Sequence, residues 1–344
     1  MKAAILEKIN GPLVIADVET SDLLIGQVLI KVLVSGICGA QLQEIAGHKN
    51  NANYVPHLLG HEGCGIVEEI GPGVTTVKVG DKVIMHWRKG DGIESAFPKY
   101  IYNGKIIGGG KVTTLSEYSV VSENRITQVP QDTPNELCAL LGCGLSTALG
   151  TIENEINLKM GESILIIGIG GLGINLIHAA QLFSASPIIG VDIHENKRDL
   201  CKSLGVDFYI NCKEENIQET LQNKFGIKEV DIIIDTSGNK KSIEETIPLL
   251  SGKGRYILIG QPKPDESIEL KNANHLFGGS GKSIKATQGG QFYPSNDIQR
   301  YIGLYKAGIL KIDNIISHKM RLDQINEAID LVKKGQAGRI IINM

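Results

Sequence analysis

The 344-residue chain has little of what marks disulfide scaffolds, membrane proteins or nucleic-acid-binding proteins. It has six cysteines and no C-x-x-C spacing, which predicts a reduced, intracellular protein. No apolar run approaches the ~20 residues of a membrane helix, and the N-terminus has no signal-peptide core. The net charge of −3 favours neither nucleic acid nor an anionic membrane as a partner. We therefore expect a cytoplasmic protein that acts on a small molecule.

The chain is long enough for roughly two domains, and its patterns divide it accordingly. Residues 28–35 and 65–70 are β-prone, 77–84 has the pattern of a hairpin, and 88–111 is a polar, Gly-rich insertion expected to be a surface lobe. From about residue 145, short apolar strands alternate with helix-like segments, which is typical of βαβ units and a parallel sheet. The sequence thus predicts an α/β fold with a β-rich domain and a doubly wound parallel-sheet domain.

A glycine-rich turn opens the second half. The segment 168–173, GIGGLG, follows the strand-like run ESILIIG and precedes a helix-like run, which is the context that the dinucleotide motif G-x-G-x-x-G requires. Asp192 ends the next predicted strand, where a carboxylate would bind an adenosine ribose and repel the extra phosphate of NADP. The pattern favours NAD as cofactor, and Lys197 is a second candidate ribose contact. The cofactor-binding candidates in the turn are Gly168, Gly170, Gly171, Leu172 and Gly173.

Thiol and imidazole groups elsewhere suggest a metal site. Cys38, His61 and Cys143 are of the residue types that zinc prefers, and three protein ligands with one open position define a catalytic zinc. The three are far apart in sequence, and a lone cysteine or histidine is more often a core residue. The residues alone therefore leave both readings open.

The motifs together resemble one family. Residues 60–74 fit G-H-E-x2-G-x5-G-x2-V, and the glycine turn follows about a hundred residues later, as in the zinc-dependent medium-chain alcohol dehydrogenases. The segment 142–192 is especially similar to glutathione-linked formaldehyde dehydrogenases. The resemblance implies a GroES-like catalytic domain, residues 1–145 and 289–344, around a Rossmann NAD-binding domain, residues 146–288. It also implies assembly into a homodimer or homotetramer.

The resemblance also implies roles for individual residues. Cys38, His61 and Cys143 match the catalytic zinc ligands, and Glu62 matches an acid that approaches the metal when ligands exchange. Two further matches concern the coenzyme: Thr147 with a residue packed against the nicotinamide, and Arg339 with an arginine that reaches the pyrophosphate. Lys197 again matches a contact to the adenosine ribose.

The chain departs from the family beside the first zinc cysteine. A hydroxyl residue usually begins a proton relay where this chain has Ala40, an Asp usually orients the zinc histidine where it has Gln41, and some members have a relay histidine where it has Gln43. We expect the amide oxygen of Gln41 to accept a hydrogen bond from the zinc histidine. Glu44 and His57 are the protein candidates for carrying the proton, besides a substrate hydroxyl or a water.

Two further features bear on the metal count and the substrate. The segment 88–111 has no cysteine where many relatives place four for a structural zinc, so we expect one zinc per subunit. Trp87 falls where relatives have a pocket aromatic, and its neighbours His86 and Arg88 are either substrate groups or solvated side chains. Gln41, Glu44 and Trp87 are the substrate candidates.

The expected reaction is hydride transfer between NAD and a polyol, sugar or related secondary alcohol. The alternatives are a glutathione-adduct or primary alcohol dehydrogenase and a zinc-free NAD-binding relative without activity.

Overall fold

The computed structural model describes residues 1–49, 52–271, 273–279 and 281–344. The chain forms two compact units. The first combines Met1–Ser146 with Tyr293–Met344, and the second is Thr147–Phe292.

The elements are named in chain order. The strands are β1 (Lys2–Leu6), β2 (Val14–Asp17), β3 (Glu19–Thr20), β4 (Gln27–Gly36), β5 (His57–Leu58), β6 (Glu62–Ile70), β7 (Lys82–His86), β8 (Tyr100–Tyr102), β9 (Lys105–Gly109), β10 (Tyr118–Ser122), β11 (Ile126–Gln128), β12 (Ile164–Ile167), β13 (Ile188–Asp192), β14 (Phe208–Asn211), β15 (Val230–Asp235), β16 (Leu250–Leu258), β17 (Ser283–Ala286), β18 (Ile316–Arg321) and β19 (Arg339–Asn343). The α-helices are α1 (Gly39–Ile45), α2 (Asn135–Leu141), α3 (Gly144–Gly150), α4 (Gly171–Leu182), α5 (Lys197–Ser203), α6 (Ile217–Phe225), α7 (Lys240–Thr246), α8 (Pro294–Lys306) and α9 (Ile325–Lys333).

The first unit is built on two largely antiparallel sheets. One has the strand order β2-β1-β5-β9-β8-β3, and the other has β11-β7-β6-β4-β19-β18. Strand β4 is long enough to pair with β10 along its first half and with β19 at its end. Its last residues also pair with the start of β6, with Ser35 opposite Gly63. The end of β4 and the starts of β6 and β19 therefore meet at one edge of the sheet.

Two sequence predictions for this unit need correction. The hairpin predicted over 77–84 is absent, because only the second half of the segment is a strand, β7. The segment 88–111, expected to be a surface lobe and given no strands, contains the hairpin β8–β9. Tyr100 of this hairpin is fully buried, and its hydroxyl lies 2.8 Å from the hydroxyl of Thr113. The strands are too short to produce a detectable period of their own.

The second unit is a six-stranded parallel sheet in the order β14-β13-β12-β15-β16-β17. Its strands β12, β13 and β15 are largely β-branched, apolar and buried, as a sheet covered on both sides requires. Leu165, Ile167, Ile189 and Ile233 are buried in one cluster with apolar residues of α6 and α7. Strand β12 lies between β13 and β15, so the turn after β12 is flanked by the ends of both neighbours.

No single helix in the described ranges has the length and apolar character to cross a membrane, although the bent pair Asn135–Leu141 and Gly144–Ile156 reaches that length jointly.

Candidate functional site

The three predicted metal ligands come together in the first unit. The ligand atoms of Cys38, His61 and Cys143 all lie within 4.8 Å of one another, although the residues span more than a hundred positions. In the part of the chain that the structure describes, this is the one group of three or more such side chains placed to hold a metal ion.

The sheet edge explains the convergence. Cys38 follows the end of β4 and precedes α1, His61 directly precedes β6, and Cys143 lies between α2 and α3. Because β4 and β6 are antiparallel, the residue after one and the residue before the other lie at the same edge. Cys143 is brought there by α2, which packs on β4 and β6.

Glycines allow the chain to pack closely at the sheet edge that carries the metal ligands. Gly60, just before His61, has φ +99° and would place a Cβ within 2.7 Å of the Thr114 nitrogen, so a side chain there would force the loop apart. Gly36 and Gly142 would each place a Cβ within 3.0 Å of Glu62 atoms. Close packing beside the metal ligands thus explains Gly60, the first glycine of the family motif.

The donor set fits zinc. The two sulfur atoms are 4.0 Å apart, close to the ~3.8 Å that two Zn–S bonds of ~2.3 Å subtend in a tetrahedron. The hydrogen bond from Cys143 holds the pKa of the Cys38 thiol well below its usual range, against the opposing effect of burial. The same hydrogen bond, with burial, raises the pKa of Cys143. A metal ion at this site would bind the two sulfur atoms as thiolates and displace their protons.

Glu62 and Arg339 form a buried ion pair beside the ligands. Glu62 has no exposed surface and Arg339 is 2% exposed. Nη2 of Arg339 donates to Oε1 of Glu62, while Oε2 accepts the N–H of Gly144 at 3.1 Å. Burial raises the pKa of Glu62, although Arg339 pulls it down. The pyrophosphate role of Arg339 and the metal approach of Glu62 stay predictions, and the ion pair itself was missed because 277 positions separate its members.

Gln41 differs from its predicted role in two ways. Its amide nitrogen, not its oxygen, faces His61, with Nε2 at 2.6 Å from Nδ1, because the oxygen accepts the N–H of Cys38 at 2.8 Å. Gln41 is also fully buried and bonds to two of the ligands, not to His61 alone; its contact with substrate stays a prediction. Because Nδ1 accepts from the amide, the neutral ring of His61 carries its proton on Nε2. A metal ion at Nε2 would require the amide to turn, so that its oxygen accepts the Nδ1 proton.

The other residues near α1 keep their candidacy as proton or substrate groups. Glu44 lies in the last turn of α1 and is half-buried, and burial raises the pKa of its carboxyl group. His57, on β5, is 8% exposed, and burial lowers its pKa. Ala40 has no hydroxyl group that could pass a proton to either residue.

His86, one neighbour of Trp87, is neither the substrate group nor the solvated side chain predicted. His86 is fully buried, with Nε2 at 3.0 Å from the Thr127 hydroxyl, and burial lowers its pKa to about 4. It is a neutral core residue of β7. Trp87 itself is half-buried, and the guanidinium carbon of Arg88 lies 5.7 Å from its ring centroid. Trp87 remains the pocket candidate.

In the second unit, the three motif glycines have three different surroundings. Gly168 has φ +87°, and a Cβ there would lie 2.6 Å from the Thr236 hydroxyl. A Cβ on Gly170 would meet nothing within 4 Å, and one on Gly173 would lie 2.1 Å from the Gly168 carbonyl oxygen. Gly168 thus makes the turn, Gly170 leaves an open approach for a ligand, and Gly173 allows close contact between loop and helix, as a pyrophosphate site requires. Helix α4 begins at Gly171 and presents free N–H groups there.

Asp192 and Lys197 lie beside this turn. Asp192 ends β13, and its Oδ2 accepts the N–H of Ile169 at 2.7 Å. Lys197 begins α5 and is 4% exposed, and burial lowers its pKa while Asp192 opposes that change. Thr147 lies in α3 with 5% exposure. Sequence reasoning did not find Thr236, because only the register of β12 and β15 places it against Gly168.

Known proteins are similar to this chain over its whole length. Residues 25–131 match the alcohol dehydrogenase GroES-like domain, and residues 171–307 match the zinc-binding dehydrogenase domain. The class-3 alcohol dehydrogenase of Pisum sativum is 30% identical over 371 residues, which cover 99% of this chain and 97% of that protein.

Two solved structures are also similar to the whole chain. An alcohol dehydrogenase zinc-binding domain protein from Burkholderia ambifaria has a TM-score of 0.90 at 25% identity, covering 100% of this chain and 98% of that one. Benzyl alcohol dehydrogenase from Acinetobacter calcoaceticus has a TM-score of 0.88 at 25% identity, covering 100% and 99%.

These matches confirm the predicted GroES-like and Rossmann fold and the predicted enzyme class, an oxidoreductase that uses zinc and a nicotinamide cofactor. The chain therefore belongs to the zinc-dependent medium-chain alcohol dehydrogenases.

Proposed function

We propose that this enzyme transfers a hydride between NAD(H) and a secondary alcohol or ketone of the polyol, sugar or sugar-derivative class. The observation that carries the proposal is the cluster of Cys38, His61 and Cys143 within 4.8 Å, which supplies three ligands and leaves a fourth position for a substrate oxygen. One zinc per subunit, and assembly as a homodimer or homotetramer, are part of the proposal.

The choice of NAD over NADP rests on Asp192. Its carboxylate ends β13, 19 positions (192 − 173) after the last motif glycine, where it can accept hydrogen bonds from an adenosine ribose. A 2′-phosphate in the same place would meet a like charge. Lys197 is the proposed second ribose contact.

The protein's contribution to the chemistry is to hold a zinc ion and to orient its ligands. A zinc ion held by Cys38, His61 and Cys143 would supply Lewis acidity that lowers the pKa of a substrate hydroxyl. Gln41 fixes the ring of His61 and the backbone of Cys38, as outer partners of metal ligands do. Glu62 is paired with Arg339, so the two cysteines lie next to an ion pair instead of an uncompensated carboxylate.

The substrate class rests on how a proton can leave. Ala40 has no hydroxyl to start a relay, so the proton must pass to a bound water, to a second hydroxyl of the substrate or to a nearby side chain. Glu44 and His57 are the proposed protein acceptors. A substrate with neighbouring hydroxyl groups supplies the missing hydroxyl itself, which favours a polyol or sugar over a simple aliphatic alcohol. Trp87 is the proposed apolar wall.

A primary alcohol is the second candidate. The benzyl alcohol dehydrogenase from Acinetobacter calcoaceticus matches the whole chain, and an aromatic primary alcohol would also suit a pocket lined by Trp87. The coenzyme segment supports a glutathione adduct as a further candidate, and the changed residues 40–43 disfavour it.

Metal content and a substrate panel test the proposal together. Purified enzyme is assayed for zinc and for reduction of NAD and NADP with polyols, simple secondary alcohols, benzyl alcohol and S-hydroxymethylglutathione. We expect one zinc per chain, NAD preference and highest kcat/KM with a polyol or sugar. Cys143→Ser should lose zinc and activity, whereas Cys212→Ser, a cysteine of the second unit outside the cluster, should keep both.

Other outcomes of these assays would contradict specific parts of the proposal. Two zincs per chain would refute the single site, and highest kcat/KM with benzyl alcohol would select the second candidate. Intact NAD binding without zinc or turnover would identify a non-catalytic relative.

A further inference from the structure

We propose that Thr236 is a positioning residue for the coenzyme, because it and Asp192 clamp the peptide between Gly168 and Ile169 from opposite sides. The inference rests on the proposed function only in that the coenzyme is a nicotinamide dinucleotide bound at this turn. It is independent of the alcohol and of the metal.

The sheet order creates the clamp. Strand β12 leads into the glycine turn, and its neighbours on either side are β13 and β15. Asp192 is the last residue of β13 and Thr236 directly follows the last residue of β15. Because parallel strands end at the same edge, both side chains flank the first peptide of the turn.

The contacts are made at the two ends of one peptide group. The Thr236 hydroxyl donates to the carbonyl oxygen of Gly168 at 2.7 Å and approaches that of Ile167 at 3.0 Å. On the other side, Oδ2 of Asp192 accepts the N–H of Ile169 at 2.7 Å. In a trans peptide the carbonyl and N–H point in opposite directions, so the two side chains together fix the rotation of this peptide plane.

The glycine makes the approach of Thr236 feasible. A Cβ on Gly168 would lie 2.6 Å from the Thr236 hydroxyl oxygen, closer than such atoms can approach. The orientation of this peptide sets the direction in which the chain enters Gly170 and the start of α4, where a pyrophosphate would meet free N–H groups. Thr236 therefore acts on the coenzyme through the backbone, without needing to touch it.

Thr236 is itself held in a rigid corner. The preceding residue, Asp235, is fully buried, and its carboxylate accepts the N–H of Gly238 at 2.7 Å and the hydroxyl of Ser237 at 2.8 Å. A Cβ on Gly260 would lie 2.6 Å from the Thr236 carbonyl carbon, so the neighbouring chain packs directly on this corner. The threonine hydroxyl thus has one well-defined place from which to reach Gly168.

The test compares three variants for NADH affinity, measured by calorimetry, and for melting temperature. Thr236→Val keeps the shape and removes the donor, so we expect NADH to bind about five- to tenfold more weakly, as for loss of one neutral hydrogen bond. Thr236→Ser restores the donor and should bind within about twofold of wild type. Thr246→Val is the matched control, because Thr246 is a buried threonine of the same unit that donates to the Ser242 carbonyl at 2.6 Å. It should lower the melting temperature without weakening NADH binding.

A double variant tests the clamp itself. If Thr236 and Asp192 act on one peptide, Thr236→Val should weaken NADH binding less in an Asp192→Ala background, which lacks the acceptor for the Ile169 N–H, than in wild type. Should Thr236→Val fold poorly, Thr236→Ala carries the same expectation. Unchanged NADH affinity in Thr236→Val, an equal loss in Thr236→Ser, or an equal loss in Thr246→Val would each overturn the proposal. Because no alcohol is present, failure of the substrate panel would leave this result unaffected.

Discussion

The segment 88–111, which carries no cysteines, is tied down by charge. Glu94 accepts hydrogen bonds from Asn124 at 2.9 Å and from Arg125 at 3.1 Å, and it pairs with Lys111 at 3.1 Å and Lys89 at 3.4 Å. One carboxylate thus joins both ends of the segment to the residues that follow β10. Replacing Glu94 with glutamine keeps its shape and removes its charge.

The size of the effect follows from its pKa. Partial burial would raise the pKa of Glu94, but the bonds from Asn124, Lys111 and Arg125 outweigh it and lower the pKa to about 2. A depression of about two units corresponds to ~3 kcal/mol, but the side chain is 28% exposed and solvent screens the charges. We therefore expect Glu94→Gln to lower the free energy of unfolding by ~1–2 kcal/mol at pH 7.

The pH dependence gives the sharper test. Because the folded pKa lies below the unfolded value of ~4.3, the carboxylate stabilises the fold fully above that pH and loses its effect as pH falls towards 2. Urea unfolding followed by the fluorescence of Trp87, the one tryptophan of the chain, measures this at pH 7, 5 and 3.5. Glu68→Gln, exposed on β6, is the control. A difference between wild type and Glu94→Gln that stays constant over this pH range, or an equal loss in the control, would refute the reasoning.

Three further predictions concern the site. Gln41→Leu removes the hydrogen bonds to Cys38 and His61, and zinc affinity from chelator competition should fall ~10–100-fold; retained affinity would show that the ligands need no such support. Asp192→Ser should weaken NAD binding about tenfold or more, since bonds to a charged group contribute ~1.5–3 kcal/mol, and should improve kcat/KM for NADP. An unchanged ratio of the kcat/KM values for NAD and NADP would show that Asp192 does not contact the ribose. Ala40→Ser should change the pH–rate profile with a simple secondary alcohol more than with a polyol, and equal profiles would mean that the missing hydroxyl does not limit the rate.

The sequence predicts an element correctly where residues close together in the chain determine it. The turn after β12 was predicted because its glycines, the flanking strand and the helix start lie within a dozen consecutive residues. The same holds for the strands β12, β13 and β15, whose continuous apolar runs are typical of a parallel sheet. The metal ligands needed the family resemblance, because no local spacing joins Cys38 to Cys143.

Sequence fails where the partner is far along the chain. His86 looked like a substrate group because nothing near it in sequence reveals the Thr127 hydroxyl that binds it. The orientation of the Gln41 amide depends on competition between Cys38 and His61 for its two ends. The strands β8 and β9 are too short to show a period, and they exist because the sheet pairs them.

The place of Arg339 in the chain has a consequence for biosynthesis. Glu62 is made early, whereas the guanidinium that neutralises it arrives 277 positions later, after the whole of Thr147–Phe292. At ~5–20 residues per second, the 47 residues (339 − 292) between the end of that unit and Arg339 take about 2–10 s to translate. The coenzyme unit therefore has time to fold on the ribosome while the other unit still lacks its last strand. The ion pair beside the metal ligands can form only once β19 has been made, so the first unit is completed by its last strand.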